Sequence, residues 1–359
     1  MNAYQRSVVA VIGLSLFPAL ALAQSGVIAL PSVPANVVRG HLPTDRPPVL
    51  RVQSGQTVTI DTLSHQGVST PEGAVAFFGK AGVKPENVLP DAIAVQKEVK
   101  IPQGGGTHVL TGPIFVEGAE PGDLLEVRVV NVEFRVPYGV NASNWGTGVL
   151  PAHLNQPTSR IIEFDLKRNV AAFSSDIEIP LSPFMGIMAV APPPGDAMVS
   201  SRPPGAFGGN LDLKQLVRGS SLYLPVFNSG ALFYTGDAHA AQGDGEVNGT
   251  AIETSLRPTF QFIVHKGKGA TAKNPRAETA THHIAIGMDK DLNLALKNAV
   301  QEAVDFLMQE KGLDARAAYA LASIAVDFRV AEAVNLVQVV YGMIPKNIFK
   351  QKQDFWFKP

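Results

Sequence analysis

The stretch Glu120-Pro121-Gly122-Asp123, followed by LLEVRVVNV at Leu124–Val132, decides the fold class. The proline supplies the fixed φ and the glycine the positive φ of a type II turn, and the valine-rich run that follows is typical of a β-strand. Similar runs of Val, Ile, Leu and Phe recur between many of the 33 glycines and 27 prolines of the chain. This pattern predicts a mainly β protein with many turns.

Further strands are predicted on both sides of this segment. Pro48–Gln53 and Thr57–Asp61 alternate apolar and polar residues around Ser54-Gly55-Gln56, which predicts a hairpin. Ser221–Phe227 and Thr259–His265 are also predicted strands, and they flank a glycine-rich segment.

The apolar spacing becomes helical near the C-terminus. It predicts a helix at Asp291–Lys311, with Gly312 where a C-cap is expected. A second helix is predicted at Asp314–Ala322, with its first residue as N-cap. The Val-rich stretch Ala325–Tyr341 is compatible with either helix or strand.

These elements predict a mainly β fold of β-sandwich or barrel-like modules with a smaller C-terminal α/β part. A new block of extended segments begins near Arg160 and suggests a module boundary. The predicted division is a signal peptide at 1–23, an N-terminal β module at 24–160, a second β module with a glycine-rich catalytic loop at 161–280, and a C-terminal α/β part at 281–359.

The N-terminus predicts export. Arg6 precedes the apolar run Val8–Leu22, which ends in the small-residue pattern Ala21-Leu22-Ala23. This combination is typical of a secretory signal peptide, with cleavage expected after Ala23. The run is too short, and too interrupted by Pro18, for a membrane anchor. We therefore expect a periplasmic or secreted protein without a membrane anchor after cleavage.

Composition excludes several classes of function. The chain has no cysteine, so disulfides, thiol nucleophiles and thiolate zinc sites are excluded. The formal net charge is −1, and no cluster of Lys and Arg interleaves with aromatic residues. The electrostatic footprint of a nucleic-acid-binding protein is therefore missing.

The densest group of reactive side chains lies in the glycine-rich loop from Thr235 to Glu246. If the backbone is extended at Asp237 and His239, the two side chains point to the same side, and Asp244 and Glu246 repeat that spacing. Such pairs suit a metal site with water as the nucleophile or acid–base catalysis without metal. A glycine-rich turn with capping Asp residues is the structural alternative, but the density of ionisable groups favours a functional site.

Histidines outside the loop are weaker candidates. His41 and His108 each lie close to residues that form turns, as site residues on loops often do. We expect one or both to complete a metal site with Asp237 and His239. His282 and His283 are adjacent, and neighbouring residues rarely converge on one ion.

Motifs of other catalytic classes are absent. The sequence has no Gly-x-Ser-x-Gly elbow and no helical zinc-protease pair of histidines. The spacing of Gly243, Gly245 and Gly249 is one residue too long for the dinucleotide fingerprint, and a Rossmann fold is rejected.

Several long motifs occur in one order along the chain. They are LTGPIFVEGAEPGD at Leu110–Asp123, FGGNLD at Phe207–Asp212, LYLPVF at Leu222–Phe227, the loop Gly236–Glu246, and AIE at Ala251–Glu253. Together they resemble the acetamidase/formamidase family from about Pro47 to Lys346.

This resemblance implies hydrolysis of formamide, acetamide or related short amides to ammonia and a carboxylate, with a divalent metal and commonly as a homo-oligomer. Zinc is the expected metal, and calcium is the alternative. The residues carried over are Asp237, His239, Asp244 and Glu246 in the loop, His108 before the first motif, and Asn210 with Asp212 in the second.

Roles follow from chemistry within this set. Glu246 is the expected proton-transfer residue because its side chain is long and it follows a glycine, with Asp244 as its catalytic companion. Asp237 and His239 are expected metal ligands, and Asn210 and Asp212 are expected to bind substrate.

Two features depart from the family pattern. The chain carries a predicted signal peptide, and the region between Ser64 and Pro102 does not resemble the family. The substrate could therefore be larger than acetamide. The alternative function is a non-catalytic periplasmic β protein that binds a metal or ligand, for instance calcium through the same carboxylates.

Overall fold

A computed structural model describes residues 28–144, 146–152, 156–195 and 198–351. The four α-helices of this part of the chain are α1 (Ala74–Gly79), α2 (Pro90–Glu98), α3 (Leu292–Lys311) and α4 (Ala315–Ala325). The strands in chain order are β1 (Ile28–Leu30), β2 (Val37–Arg39), β3 (His41–Leu42), β4 (Leu50–Gln53), β5 (Thr57–Ile60), β6 (Val109–Glu117), β7 (Leu124–Phe134), β8 (Tyr138–Ser143), β9 (Thr158–Asp165), β10 (Val170–Ser174), β11 (Ile177–Pro180), β12 (Phe184–Ala189), β13 (Val199–Ser200), β14 (Gly208–Asn210), β15 (Ser221–Pro225), β16 (Phe233–His239), β17 (Glu253–Thr254), β18 (Leu256–His265), β19 (Arg276–Glu278), β20 (His282–Asp289), β21 (Asp327–Glu332) and β22 (Gln338–Pro345).

Two large sheets share one hydrophobic core. The first has the order β1-β5-β18-β7-β15-β19-β20-β22-β21, and the second has the order β11-β10-β9-β8-β17-β16-β12-β14. Strand β6 also pairs with β16, β2 and β4 in the second sheet. Phe233 of the second sheet packs against Phe260 and Phe262 of the first, with ring centroids 5.8 and 5.0 Å apart. The predicted mainly β, sandwich-like fold is confirmed.

The turn before β7 forms as predicted. Gly122 has a φ of 93°, and the Asp123 N–H donates to the Glu120 carbonyl at 3.0 Å. Asp123 then accepts hydrogen bonds from the Glu120 and Gly267 N–H groups, each at 2.8 Å. Strand β7 pairs along its length with β18 and also with β15, so this turn starts a central strand of the first sheet.

The predicted hairpin between β4 and β5 is wrong, although both strands exist. Strand β4 pairs in parallel with β6 in the second sheet, whereas β5 pairs with β1 and β18 in the first. The Gly55 N–H donates to the carbonyl of Phe262 in the neighbouring strand. The short connection therefore crosses from one sheet to the other.

The C-terminal part is an α/β layer, as predicted. Helix α3 is capped by the Asp291 side chain and ends at Gly312, whose φ is 66°. Asp314 caps α4, which extends slightly beyond the predicted end at Ala322. The ambiguous stretch that follows forms β21 and β22, which pair with each other, and β22 also pairs with β20.

Both sheets draw on strands from either side of residue 160, and the module boundaries stay a prediction. The predicted signal peptide at 1–23 lies outside the described residues. Within the described ranges, no helix has the length and apolarity needed to cross a membrane.

Candidate active site

Two adjacent strands of the second sheet form the floor of the candidate site. In the register of β12 with β16, Met185 pairs with Ala238 and Ile187 pairs with Gly236, so Gly186 faces Asp237. A Cβ on Gly186 would lie 2.4 Å from Asp212 Oδ1 and 2.8 Å from Asp237 Oδ2. Only glycine leaves space for the carboxylates at this point of the sheet.

Asp237 and His239 converge, but not through the extended geometry expected from the sequence. Asp237 has a φ of 55°, which is uncommon for residues other than glycine. Its Oδ2 atom lies 3.4 Å from His239 Nε2, and the same nitrogen lies 3.3 Å from Glu253 Oε2. Asp212 and Glu246 also have positive φ, at 44° and 45°. Backbone strain of this kind tends to cluster at functional sites.

Two further imidazoles reach the same carboxylates. His108 Nε2 lies 3.7 Å from Asp237 Oδ2. His65 Nδ1 lies 3.5 Å from Asp237 Oδ1 and 3.7 Å from Glu253 Oε2. The rings of the two histidines meet edge to face, with centroids 5.5 Å apart.

Neighbouring side chains orient the imidazoles. His108 Nδ1 is hydrogen-bonded to Ser201 Oγ at 2.9 Å, and His65 Nε2 lies 2.9 Å from the Gln66 side-chain amide. His239 Nδ1 donates to Gln242 Oε1 at 2.9 Å. In each ring the other nitrogen therefore faces the carboxylates.

Asp212 and Glu246 form the second half of the cluster. One ligand atom each from Asp212, His239 and Glu246 lies within 4.8 Å of the others, and all three residues are buried. Asp212 Oδ2 accepts a hydrogen bond from Asn335 Nδ2 at 2.5 Å. Asn335 is itself placed by Glu332, whose carboxylate accepts its backbone N–H at 2.9 Å.

Most of the converging atoms lack a hydrogen-bond partner. Among the described residues, the buried atoms without one include His65 Nδ1, Asp237 Oδ1, His239 Nε2, Glu253 Oε2, Asp212 Oδ1 and Asn210 Oδ1. Native interiors rarely leave buried polar atoms unpaired. The concentration of unpaired polar atoms at one point indicates a binding site for a metal ion or another ligand.

Burial and mutual charge shift the pKa values in opposite directions. Burial works to raise the pKa of Asp237, but the imidazoles of His108 and His239 outweigh it and hold the pKa well below its usual range. Burial likewise works to lower the pKa of His239, but the carboxylates of Glu253 and Asp237 outweigh it and hold the pKa well above its usual range. Asp237 and His239 therefore each favour the charged form of the other.

Asp212 and Glu246 hold protons more tightly than usual. Burial raises the pKa of Glu246 to about 8, with further contributions from Glu253 and Asp237. Burial and the charge of Glu246 raise the pKa of Asp212 well above its usual range. Carboxylates this close repel one another, so the cluster favours either bound protons or a cation.

The donor set also fits a divalent transition metal. Three groups of potential ligands overlap: His65 with His108 and Asp237, Asp237 with His239 and Glu253, and Asp212 with His239 and Glu246. Ligands about 2.0–2.1 Å from a tetrahedral zinc are about 3.3–3.4 Å apart. The observed separations of 3.3 and 3.4 Å from His239 Nε2 match this value.

A cavity of about 550 Å³ opens above the cluster. His65, Asp212, Asp237, Glu246 and Glu253 contribute to its lining. Asn210 also lines it, although the side chain is almost fully buried.

Most of the predicted site residues meet in this cluster. Asp237, His239, His108, Asp212 and Glu246 belong to the three ligand groups, and Asn210 lines the cavity beside them.

His41 and Asp244 lie elsewhere. His41 pairs with Ser200 in the small sheet of β3 and β13, and its Nδ1 lies 2.9 Å from the Arg39 carbonyl oxygen. Asp244 accepts a hydrogen bond from the Tyr341 hydroxyl at 2.8 Å and pairs with Lys214 at 3.1 Å. Neither residue belongs to the ligand groups found among the described residues.

His65, Glu253 and Gly186 were not among the site residues predicted from the sequence. Glu253 ends the quoted motif at Ala251–Glu253, which could have identified it. His65 lies in the segment that departs from the family pattern, and no local motif marks it. Gly186 becomes informative only when its strand is paired with β16.

Comparisons with known proteins identify the family of this chain. A sequence profile of the Acetamidase/Formamidase family matches residues 90–201 and 195–351. The formamidase of Methylophilus methylotrophus is 28% identical over 196 residues, which are 39% of this chain and 47% of that protein. The acetamidase of Mycolicibacterium smegmatis is 28% identical over 200 residues, 39% of this chain and 49% of that protein. The aligned segment thus spans about half the length of these curated relatives.

The structural match is more extensive. The crystal structure of an acetamidase from Bacillus halodurans superposes with a TM-score of 0.74 at 28% identity, covering 90% of this chain and 99% of that one. Because the family profile matches well over half of the chain, the protein belongs to the acetamidase/formamidase family.

Proposed function

We propose that this protein hydrolyses the C–N bond of primary amides and releases ammonia and a carboxylate. The observation that carries this proposal is the convergence of unpaired imidazole and carboxylate atoms at the floor of a cavity, in a chain of the acetamidase/formamidase family.

We further propose that the cluster holds a divalent metal, with zinc favoured. Asp237, His239 and Glu253 would hold it, with His65 and His108 beside Asp237 as alternative ligands, and imidazole ligands favour zinc over calcium. A divalent ion bound there would polarise a carbonyl oxygen and lower the pKa of a nearby water. The space kept open by Gly186 is consistent with this use.

Glu246 is the proposed proton-transfer residue. Amide cleavage needs one proton removed from the attacking water and one delivered to the departing nitrogen. A carboxyl group with a pKa of about 8 exchanges a proton readily near neutral pH. Asn210, with an unpaired amide oxygen beside the cavity, is proposed to accept a hydrogen bond from the substrate amide.

Export and assembly are also proposals. The segment Val8–Leu22 supports periplasmic or secreted localisation, and the family resemblance supports a homo-oligomer. Fractionation of the native host and size-exclusion chromatography with light scattering test the two separately. Protein retained wholly in the cytoplasm, or a monomer at micromolar concentration, would contradict them.

Ammonia release from formamide and acetamide by the purified protein tests the proposed function. We expect turnover by the wild type, loss of bound metal in His239→Ala, and loss of turnover in both that variant and chelated wild type. Metal content measured by mass spectrometry separates the two proposals. Turnover that persists after complete chelation would refute the proposed metal dependence but not the proposed amide hydrolysis.

A further inference from the structure

The cavity is large and polar for a small amide. Its volume of about 550 Å³ falls within the roughly 300–1,000 Å³ of pockets that hold drug-sized ligands. Formamide or acetamide would fill only a small part of it. Hydroxyl and amide side chains make up much of its wall, including Thr70, Thr107, Ser143, Thr158, Asn248 and Thr250. This lining suits a substrate with polar groups beyond the scissile amide.

Arg202 gives the cavity a permanent positive charge. Among the described residues that line it, Arg202 is the one arginine or lysine. Its stem lies against Gly106, where a Cβ would come within 2.8 Å of Arg202 Cγ, and its backbone N–H donates to Ser200 Oγ at 3.3 Å. The guanidinium forms no ion pair with any carboxylate in the described part of the chain, and the residue is solvent-exposed.

Arg202 stands next to the cluster. The preceding residue, Ser201, holds His108 through its hydroxyl. Arg202, His108 and Asp237 line the same cavity. A ligand that fills this cavity can therefore reach both the guanidinium and the cluster.

On the basis of the proposed amide hydrolysis, we propose that the substrate is a primary amide that also carries a carboxylate, and that Arg202 binds this carboxylate. A guanidinium recognises a carboxylate through paired, charge-assisted hydrogen bonds. The amide must reach the cluster to be cleaved, and Arg202 lies on the cavity wall outside the three ligand groups of the described residues. The substrate is thus oriented with its amide toward the cluster and its carboxylate toward Arg202.

The monoamide of a short dicarboxylic acid has this chemistry. In succinamate, water adds to the amide carbonyl carbon, the C–N bond breaks, and the nitrogen leaves with a proton as ammonia. The products are succinate and ammonium. No oxidant, reductant or second substrate is needed.

A pair of amides of matched shape tests the inference. Succinamate and 4-methylpentanamide differ in that the second carries an isopropyl group in place of the carboxylate. The measured quantity is the ratio of kcat/KM for succinamate to kcat/KM for 4-methylpentanamide. We expect Arg202→Gln to lower this ratio about 2- to 5-fold, which is the usual contribution of an exposed pair between a guanidinium and a carboxylate.

The loss should fall mainly on KM because Arg202 is away from the reacting bond. Arg202→Lys should retain part of the preference. The matched control is Arg168→Gln, which removes an exposed arginine paired with Glu178 outside the cavity lining and should leave the ratio unchanged.

An unchanged ratio in Arg202→Gln, or a wild-type preference for 4-methylpentanamide, would overturn the inference while leaving amide hydrolysis intact. If the metal-loaded wild type hydrolyses neither amide, nor formamide or acetamide, the proposed function fails and this inference fails with it.

Discussion

Replacing Gly186 with alanine tests the geometry of the cluster most directly. The new Cβ would lie 2.4 Å from Asp212 Oδ1, 2.8 Å from Asp237 Oδ2 and 2.9 Å from His239 Cε1. Real Cβ atoms essentially never approach other heavy atoms closer than 3.0 Å, so Asp212 Oδ1 must move by about 0.6 Å. Functional groups need placement within about 0.5 Å. The substitution therefore displaces side chains that this site requires.

The substitution is expected to affect both activity and stability. A misplacement of about 1 Å can cost roughly 10²-fold in rate, so for the smaller shift of Asp212 Oδ1 we expect a loss on the order of 10-fold in amide turnover, together with reduced metal content. Crowding in a packed interior costs about 1–3 kcal/mol in the free energy of unfolding. Reduced freedom of the unfolded chain offsets about 0.4–1 kcal/mol of that cost.

The matched control is Gly243→Ala in the glycine-rich loop that carries Asp237 and His239. A Cβ on Gly243 would meet no atom within 4 Å, and the residue does not have a positive φ. Ammonia release, metal content and thermal unfolding should be close to wild type in this control. Wild-type turnover and metal content in folded Gly186→Ala would refute the cluster as the catalytic centre.

Three other predictions concern the proton-transfer residue, the hydrogen bond that orients His108, and the stability of the fold in acid. Glu246→Gln should remain folded and keep its metal but lose ~10²–10⁴ in turnover, and near-normal turnover would transfer the role to another carboxylate such as Glu253. Ser201→Ala removes the hydrogen bond that orients His108. It should weaken metal affinity about 10- to 100-fold in a chelator titration. Unchanged metal affinity would mean that the Ser201 hydroxyl does not orient His108 as a ligand. Burial works to raise the pKa of Asp123, but Lys266 and backbone N–H groups outweigh it and lower the pKa. Ionised Asp123 therefore stabilises the fold above its unfolded-state pKa of about 3.9, and this contribution is lost as the pH falls through the lower folded-state value. Asp123→Asn should thus be destabilised relative to wild type at pH 7, with the difference in denaturant midpoint vanishing in acid, and a constant difference across pH would contradict the assignment.

Local sequence was sufficient for much of the fold. The turn at Pro121 and Gly122, strand β7, and the caps of α3 and α4 all follow from short-range preferences of the residues present. These preferences act within a few positions of the chain, so they can be read without knowledge of distant segments. The same local reading failed for the hairpin of β4 and β5, because a short turn does not specify which sheet each strand joins.

The candidate site was likewise only partly predictable from local sequence. Asp237, His239 and Glu246 could be predicted because reactive residues are dense within one glycine-rich loop. Their closeness in the structure follows largely from their closeness in the sequence. Sequence also identified His108 and Asp212, through motifs of the family. Without that resemblance, local sequence gave no way to choose between His108 and His41 as the histidine contributed by the N-terminal region.

Sequence by itself determined the mainly β class, the ends of the two C-terminal helices, the absence of thiol chemistry and the loop that carries the reactive groups. Tertiary structure alone brought His65 and Glu253 to Asp237, left His41 and Asp244 outside the cluster, and placed Gly186 opposite the carboxylates. The physical reason is that these contacts depend on the pairing of strands from distant parts of the chain. That pairing is decided by burial of the shared core and by sheet register, and neither is encoded in the few residues around each site.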